Sequence, residues 1–365
     1  MKKVGIVTFH RAHNYGAMLQ AFALQTFLKT IYDTKIVDYH SKSVDREYYG
    51  TTKLFFRRLM TKLHLFTKSF SGKNETFEKF EHFKNNQFDL SDSYDLKSIK
   101  NANSSFDYFI SGSDQVWNPY INRFDYTYFL DFADDSKKYS YAASFGRSSF
   151  SNKLMKTIQA KISHYNNFST RESSGTLILN SLGINKNVSV NCDSVFLLSK
   201  DEWIKEFNLS NTTKYGKYIL VYYMVKQKYA NKFALELSKK TGYKILYVNY
   251  YNTIHYPKQM INLYGVGPRD LLELILNAQY VVTTSFHGMA FSLIFKKNFY
   301  YELAKKKANV NPRLADLSKR LNLSHLEINN LTSVDEKVDY DAINQTLSSY
   351  INESKKLLKE LFDNK

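Results

Sequence analysis

The sequence predicts an α/β protein built as two Rossmann-like domains with parallel sheets. Three observations predict it. Short apolar runs rich in β-branched residues recur along the 365-residue chain, the mark of buried strands. Runs with helical spacing follow them, so the repeating unit is β-α-β with a right-handed crossover. The pattern breaks in a polar stretch at 199–216 and then starts afresh. At roughly 150 residues per domain, the length also suits two.

The elements follow in order. "KKVGIVTF" (2–9) is a strand, and "NYGAMLQAFALQTFLKT" (14–30) is a helix with Ala17, Ala21, Leu24 and Leu28 on one face. "TKIVDYH" (34–40) is the second strand. Residues 51–74 hold six Lys/Arg and no acid. Phe56, Leu59, Met60, Leu63, Phe66 and Phe70 gather on one side of a helix there. Such a basic amphipathic helix suits an anionic membrane surface or its own domain. "FDYFISGSDQVWNP" (106–119), "KKYSYAASFG" (137–146), "FSTRE" (168–172) and "VSVNCDSVFLL" (188–198) read as further strands. After the break come a strand at 217–225, a helix near 227–241, a strand at 244–250 and a helix at 268–278. Pro268 stands in the first turn of that helix, where a missing N–H costs little. "YVVTT", "FHGMAFSLIF" and "KNFYYE" continue as strand, helix and strand. The expected domains are 1–205 and 206–340, with a C-terminal helix, 341–365, packing back on the first domain.

Composition narrows the function. The net charge of +17 favours anionic partners. The basic residues are scattered and no nucleic-acid motif appears, so nucleic acid is not expected as a partner. The single cysteine, Cys192, excludes an internal disulfide and fits a reducing compartment. No signal peptide and no run of about 18 apolar residues is seen, so a cytoplasmic location is expected. His10 and His13 form H-x-x-H without a carboxylate or cysteine at ligand spacing, and no metal site is expected. P-loop and GxGxxG patterns are absent.

Open α/β sheets bind ligands beyond the carboxyl ends of their strands. The polar residues at these exits are His10, Asn14, Asp114, Ser144, Arg171 and Asp193. Two strand-to-helix junctions stand out: "TFHRAHNYGAMLQ" (8–20) and "TTSFHGMAFS" (283–292). A helix start offers free N–H groups and the positive end of a dipole, hence an anion site. Gly16 and Gly288 allow close approach of a ligand to the backbone. His287 at such a start suits a proton carrier that responds to a bound anion. A half-buried capping or packing histidine fits the same position. Arg171 and Glu172 also suit a surface pair, and Asp114 and Asp193 also suit turn caps.

The pieces "TFHRAHNYGAMLQAFALQ" (8–25), "FISGSDQVWNP" (109–119), "YFLDF" (128–132), "SYAASFG" (140–146), "STRES" (169–173), "TSFHGMAFS" (284–292) and "NPRLADLSKRLNL" (311–323) occur in this order. Together they resemble the polysaccharide pyruvyl transferase family. The resemblance implies a fold like that of GT-B glycosyltransferases, with the two sheets facing a cleft. It implies phosphoenolpyruvate as donor, no cofactor, and a sugar acceptor carried on a lipid pyrophosphate at the inner membrane face. The product is a pyruvate ketal of a surface polysaccharide precursor. On that reading His287 is acid or phosphate donor, and Asp114 and Asp193 are base or sugar contacts. Arg171 and Arg313 are anion forks. Asn14, Tyr15, Gly16, Ser285 and Gly288 line phosphate or hydroxyl sites. A sugar-nucleotide glycosyltransferase of the same architecture is the alternative.

Overall fold

In a computed structural model, residues 1–43, 45, 68–185, 187–224, 228–249, 257–303, 312–331, 334 and 336–363 are described. The chain forms two compact units: Met1–Thr51 with Lys84–Leu198 and Ser348–Lys365, and Thr52–Phe83 with Ser199–Leu347. The described residues 68–83 thus group with the second unit, and the chain passes between the units more often than a division at 205/206 and 340/341 supposes.

The first unit holds a seven-stranded parallel sheet among the described residues, in the order β3-β2-β1-β4-β5-β6-β7. Its strands are β1 (Lys3–Val7), β2 (Asp33–Tyr39), β3 (Leu90–Tyr94), β4 (Tyr108–Asp114), β5 (Lys138–Ala143), β6 (Phe168–Thr170) and β7 (Val188–Val190). β1 pairs with β2 on one side and β4 on the other, so the strand order reverses between β1 and β4. Ligands of open α/β sheets sit at such a switch point. Helix α1 (Tyr15–Lys29) follows β1 and is buried nearly all round, as its Ala, Leu and Phe composition dictates. Val7, Phe109, Trp117, Phe145 and Ile158 belong to the core that packs this sheet.

The expected strand at 188–198 is shorter than its apolar pattern suggests. It stops at Val190, because the Asp193 side chain accepts from Val195 N at 3.0 Å and turns Ser194–Leu197 into a 3-10 helix.

Helix α2 (Lys68–Gln87) leads back into the first unit, which adds α3 (Asn152–Ile162) and α4 (Ser173–Ser181). Of the basic stretch 51–74, residues 51–67 lie outside the described residues. Its end is packed: a Cβ on Gly72 would lie 2.4 Å from Tyr264 Cβ.

The second unit repeats the plan with five parallel strands among the described residues, in the order β10-β9-β8-β11-β12. They are β8 (Tyr218–Tyr222), β9 (Lys244–Val248), β10 (Ile261–Leu263), β11 (Tyr280–Thr283) and β12 (Asn298–Tyr301). The order reverses between β8 and β11, which pair in register from Ile219↔Tyr280 to Tyr222↔Thr283. Its helices are α5 (Lys200–Phe207), α6 (Lys228–Thr241), α7 (Pro268–Asn277), α8 (Phe286–Ile294) and α9 (Pro312–Arg320). Ser199 and Glu202 start α5 with a capping box. Pro268 occupies the first turn of α7, as expected.

Helix α10 (Tyr340–Glu360) closes the chain. Its first residue, Tyr340, donates to Ser292 O and Lys297 O. Farther on, Ser354 Oγ accepts from Cys192 N at 2.9 Å, Tyr32 donates to Lys359 O at 2.9 Å, and Phe362 stacks on Tyr108 at 4.2 Å.

Candidate functional site

The polar strand exits gather into two sets, one at each switch point. In the first unit, Thr8 Oγ1 follows β1 and donates to Ser113 O on β4 at 3.1 Å, while Gln20 Nε2 donates back to Thr8 Oγ1 at 2.9 Å. The β1–α1 turn is thereby tied to the end of β4. Asn14 caps α1 by accepting from Ala17 N at 3.2 Å. Tyr15 and Gly16 open the helix, and its first turn carries no acid.

The approach to that turn is held by charge. His10 Nε2 lies 3.1 Å from Asp38 Oδ1, and Arg11 reaches Asp38 at 3.2 Å and Asp45 at 3.0 Å. Burial pushes Asp38 up, but His10, Arg11 and His40 outweigh it and hold the carboxyl well below its usual range. Burial pushes His10 down, against the pull of Asp38.

Asp114 ends β4 with φ +77°, an uncommon conformation for any residue but glycine or Asn/Asp. Two residues earlier, Gly112 has φ +124°, and a Cβ there would lie 2.1 Å from Tyr141 O. The Asp114 side chain is 12% exposed. Arg171, just past β6, is 1% exposed at its side chain and holds Asp114 Oδ1 at 3.1 Å through Nη2. Its Nη1 holds Asp193, whose side chain is fully buried. Asp193 also accepts from Val195 N at 3.0 Å and Ser113 Oγ at 3.3 Å. Burial works against the guanidinium charge, but Asp193, Asp114 and Glu172 outweigh it and raise the Arg171 pKa.

Glu172 corrects the surface-pair alternative. It is fully buried. Its Oε1 accepts from Ser144 Oγ at 2.8 Å and Gly146 N at 3.2 Å. Cys192 is buried, and burial pushes its thiol up to about 11.

In the second unit the turn between β11 and α8 carries His287. Thr283 Oγ1 donates to Tyr222 O at 2.7 Å and accepts from Ser285 N at 3.0 Å. Ser285 caps α8 through Gly288 N at 3.3 Å. Gly288 is required by space, since a Cβ there would lie 2.3 Å from Thr283 Oγ1. His287 is 7% exposed, and its ring meets Phe286 edge-on at 5.2 Å. The Arg313 guanidinium lies 5.9 Å from the Phe286 ring centroid, within cation–π range. Ser285, His287 and Gly288 thus share the start of α8, and Arg313 lies over the ring of Phe286 in the same turn. The first turn of α8 carries no acid.

The neighbouring helix differs. Glu302, at the exit of β12, is buried, and its Oε2 accepts from Ala230 N in the first turn of α6 at 2.7 Å. The positive end of that dipole already meets a carboxylate. Sequence reasoning missed Glu302, Ser113 and the two stitching threonines, Thr8 and Thr283. The signal for Glu302 was present, an acid directly after the strand "NFYY".

Among the described residues, no group of three or more His, Cys, Asp or Glu is arranged to hold a metal ion. No described helix is long and apolar enough to cross a membrane.

The family model for polysaccharide pyruvyl transferase matches residues 14–301, a span that includes Asn14, Asp114, Arg171, Asp193 and His287. No curated protein matches the chain. Among solved structures, the chain is similar to UDP-GlcNAc 2-epimerase from Neisseria meningitidis bound to UDP-GlcNAc, at 10% identity, 100% coverage of both chains and a TM-score of 0.51. It is also similar to the Methanocaldococcus jannaschii UDP-GlcNAc 2-epimerase in complex with UDP-GlcNAc and UDP, at 13% identity, 96% and 93% coverage and a TM-score of 0.47. E. coli heptosyltransferase WaaC with ADP-2-deoxy-2-fluoro heptose matches at 11% identity, 90% and 97% coverage and a TM-score of 0.35. The likeness to the Neisseria enzyme concerns fold alone. It agrees with the fold class expected from sequence, two Rossmann-like units of the GT-B kind.

Proposed function

The chain belongs to the polysaccharide pyruvyl transferase family, and from that premise we propose that it transfers the pyruvyl group of phosphoenolpyruvate to a sugar, forming a pyruvate ketal. The observation that carries this reading is the acid-free start of α8, which bears Ser285, His287 and Gly288 and has Arg313 over the ring of Phe286. A phosphate or carboxylate is the ligand such a helix start favours.

His287 delivers a proton to the methylene carbon of phosphoenolpyruvate, leaving an oxocarbenium-like centre at C2. A sugar hydroxyl attacks C2 and gives its proton to a carboxylate, for which Asp114 is the candidate because part of it is exposed at the strand exit. The C2–O bond to phosphate then breaks, and phosphate leaves with the electron pair. A second hydroxyl closes the ring on C2. Two hydroxyl protons are released in all: one replaces the proton spent on the methyl group and one leaves with phosphate. The scheme calls for no metal. Arg313 and the α8 N–H groups hold the donor's anionic oxygens. Asn14, Tyr15 and Gly16 line the other helix start for phosphate or acceptor hydroxyls.

The acceptor is proposed to be a lipid-pyrophosphate-linked precursor of a surface polysaccharide, met at the cytoplasmic face of the membrane. The net charge of +17 supports that encounter. Ligand-induced thermal shift tests the donor: phosphoenolpyruvate raises the melting temperature and UDP- or GDP-sugars do not. The opposite pattern would replace this reading with a sugar-nucleotide glycosyltransferase.

A further inference from the structure

Arg171 was expected to grip an anion of the donor. Its surroundings argue otherwise. The guanidinium is 1% exposed and its two terminal nitrogens are bound to Asp193 and Asp114. Glu172, fully buried, is the third acid acting on it. A guanidinium so enclosed and already engaged by carboxylates is poorly placed to receive a phosphate from solvent. The two partners also differ from each other. Asp193 is fully enclosed and anchored by Val195 N and Ser113 Oγ. Asp114 is 12% exposed and stands in a left-handed conformation at the sheet's switch point.

We propose that Arg171 is a positioning residue. It is anchored by buried Asp193 and holds Asp114 as the ionised carboxylate that meets the acceptor hydroxyl, and it does not bind the donor. The assignment rests on the pyruvyl transfer reading for Asp114's role, but the clamp itself is a property of the fold. A partly exposed carboxylate at a strand exit suits a group that takes a proton.

Removal of Arg171 alone leaves buried carboxylates uncompensated and threatens folding. Two variants are therefore needed: Arg171→Lys, and Arg171→Gln combined with Asp193→Asn, which removes one charge of each sign. Calorimetric titration with phosphoenolpyruvate is expected to give affinities within about twofold of the parent for both. Phosphate release from phosphoenolpyruvate, measured with a mixed panel of methyl hexopyranosides as acceptors, is expected to fall about 100-fold in kcat at unchanged donor KM. A tenfold or larger loss of phosphoenolpyruvate affinity in both variants overturns the proposal. The carboxyl carbon signal of Asp114 gives a readout that does not depend on the donor. Its titration midpoint is expected to rise in the double variant, because the favourable guanidinium is gone. An unmoved midpoint also overturns the proposal. If the parent protein shows no affinity for phosphoenolpyruvate, the functional reading fails, and the Asp114 titration still decides whether Arg171 is the clamp.

Discussion

The turns at Thr8–Asn14 and at Thr283–Ser285 share one construction. In each, a threonine hydroxyl stitches the two strands of a switch point, Thr8 to Ser113 O and Thr283 to Tyr222 O. In each, a polar side chain caps the helix and a glycine sits in its first turns. They differ in charge. Around the first stand Asp38 and Asp45, with Asp114, Asp193 and Glu172 along the same sheet edge, each bonded to a partner. At the second, the first turn of α8 is free of acids, and the nearby buried Glu302 is turned to α6 instead. The same backbone device therefore carries two environments, one lined by paired carboxylates and one free of acid at the helix start.

Disabling each turn separately tests the contrast between them. His287→Ala is expected to lower ketal formation by about 100-fold or more and to weaken phosphoenolpyruvate binding, with the melting temperature nearly unchanged. Asp114→Asn is expected to lower turnover by a similar factor while leaving donor binding intact. Equal donor affinity in the two variants, by calorimetry, would erase the proposed division.

Gly288→Ala comes next. The added methyl must displace Thr283 Oγ1, which lies 2.3 Å from the ideal Cβ position and holds both Tyr222 O and Ser285 N. A loss of about 1–3 kcal/mol in stability is expected from such overpacking, together with weaker donor binding. An alanine protein with parental stability and affinity would mean that the turn gives way without cost. Ser285→Ala removes only the cap on α8 and should cost about 1 kcal/mol by denaturant unfolding. Asn14→Ala should cost α1 about the same, and only the Ser285 variant should weaken donor binding.

Much of this was readable before any coordinates. Strands β1, β2, β4 and β5 and the β11–α8–β12 run stand where the apolar pattern puts them, because each carries an apolar run such as Ile36–Val37 in β2 or Tyr108–Ile110 in β4. β3, "LSDSY", is polar and lies at the sheet's edge, and β10 has three residues, so neither leaves a pattern. The candidate residues were visible as polar groups at strand exits, but their partners were not. Whether Arg171 faces a ligand or two carboxylates depends on the sheet bringing the ends of β4, β6 and β7 together, which no local pattern encodes. Glu172 was misjudged for the same reason, since its burial comes from Ser144 and Gly146 on a neighbouring strand exit.

The smallest expected effect concerns Cys192, which lies in the first unit beside Asp193 yet outside the proposed chemistry. Burial raises its thiol from 9.0 to about 11, so the folded chain holds that proton more tightly than the unfolded chain does. The sign follows: its contribution to stability is complete below pH 9.0 and is lost as pH climbs toward 11. Buried tyrosines such as Tyr141 also weaken the fold at high pH, since burial raises them too. The comparison must therefore be between the parent and Cys192→Ala, unfolded by urea at pH 8 and pH 10. The parent should lose slightly more stability over that interval, and in its native state at pH 8 it should resist alkylation by iodoacetamide. Rapid native alkylation would place a reactive thiol next to the Arg171 clamp, and Cys192 would then have to be counted among the functional groups of the first unit.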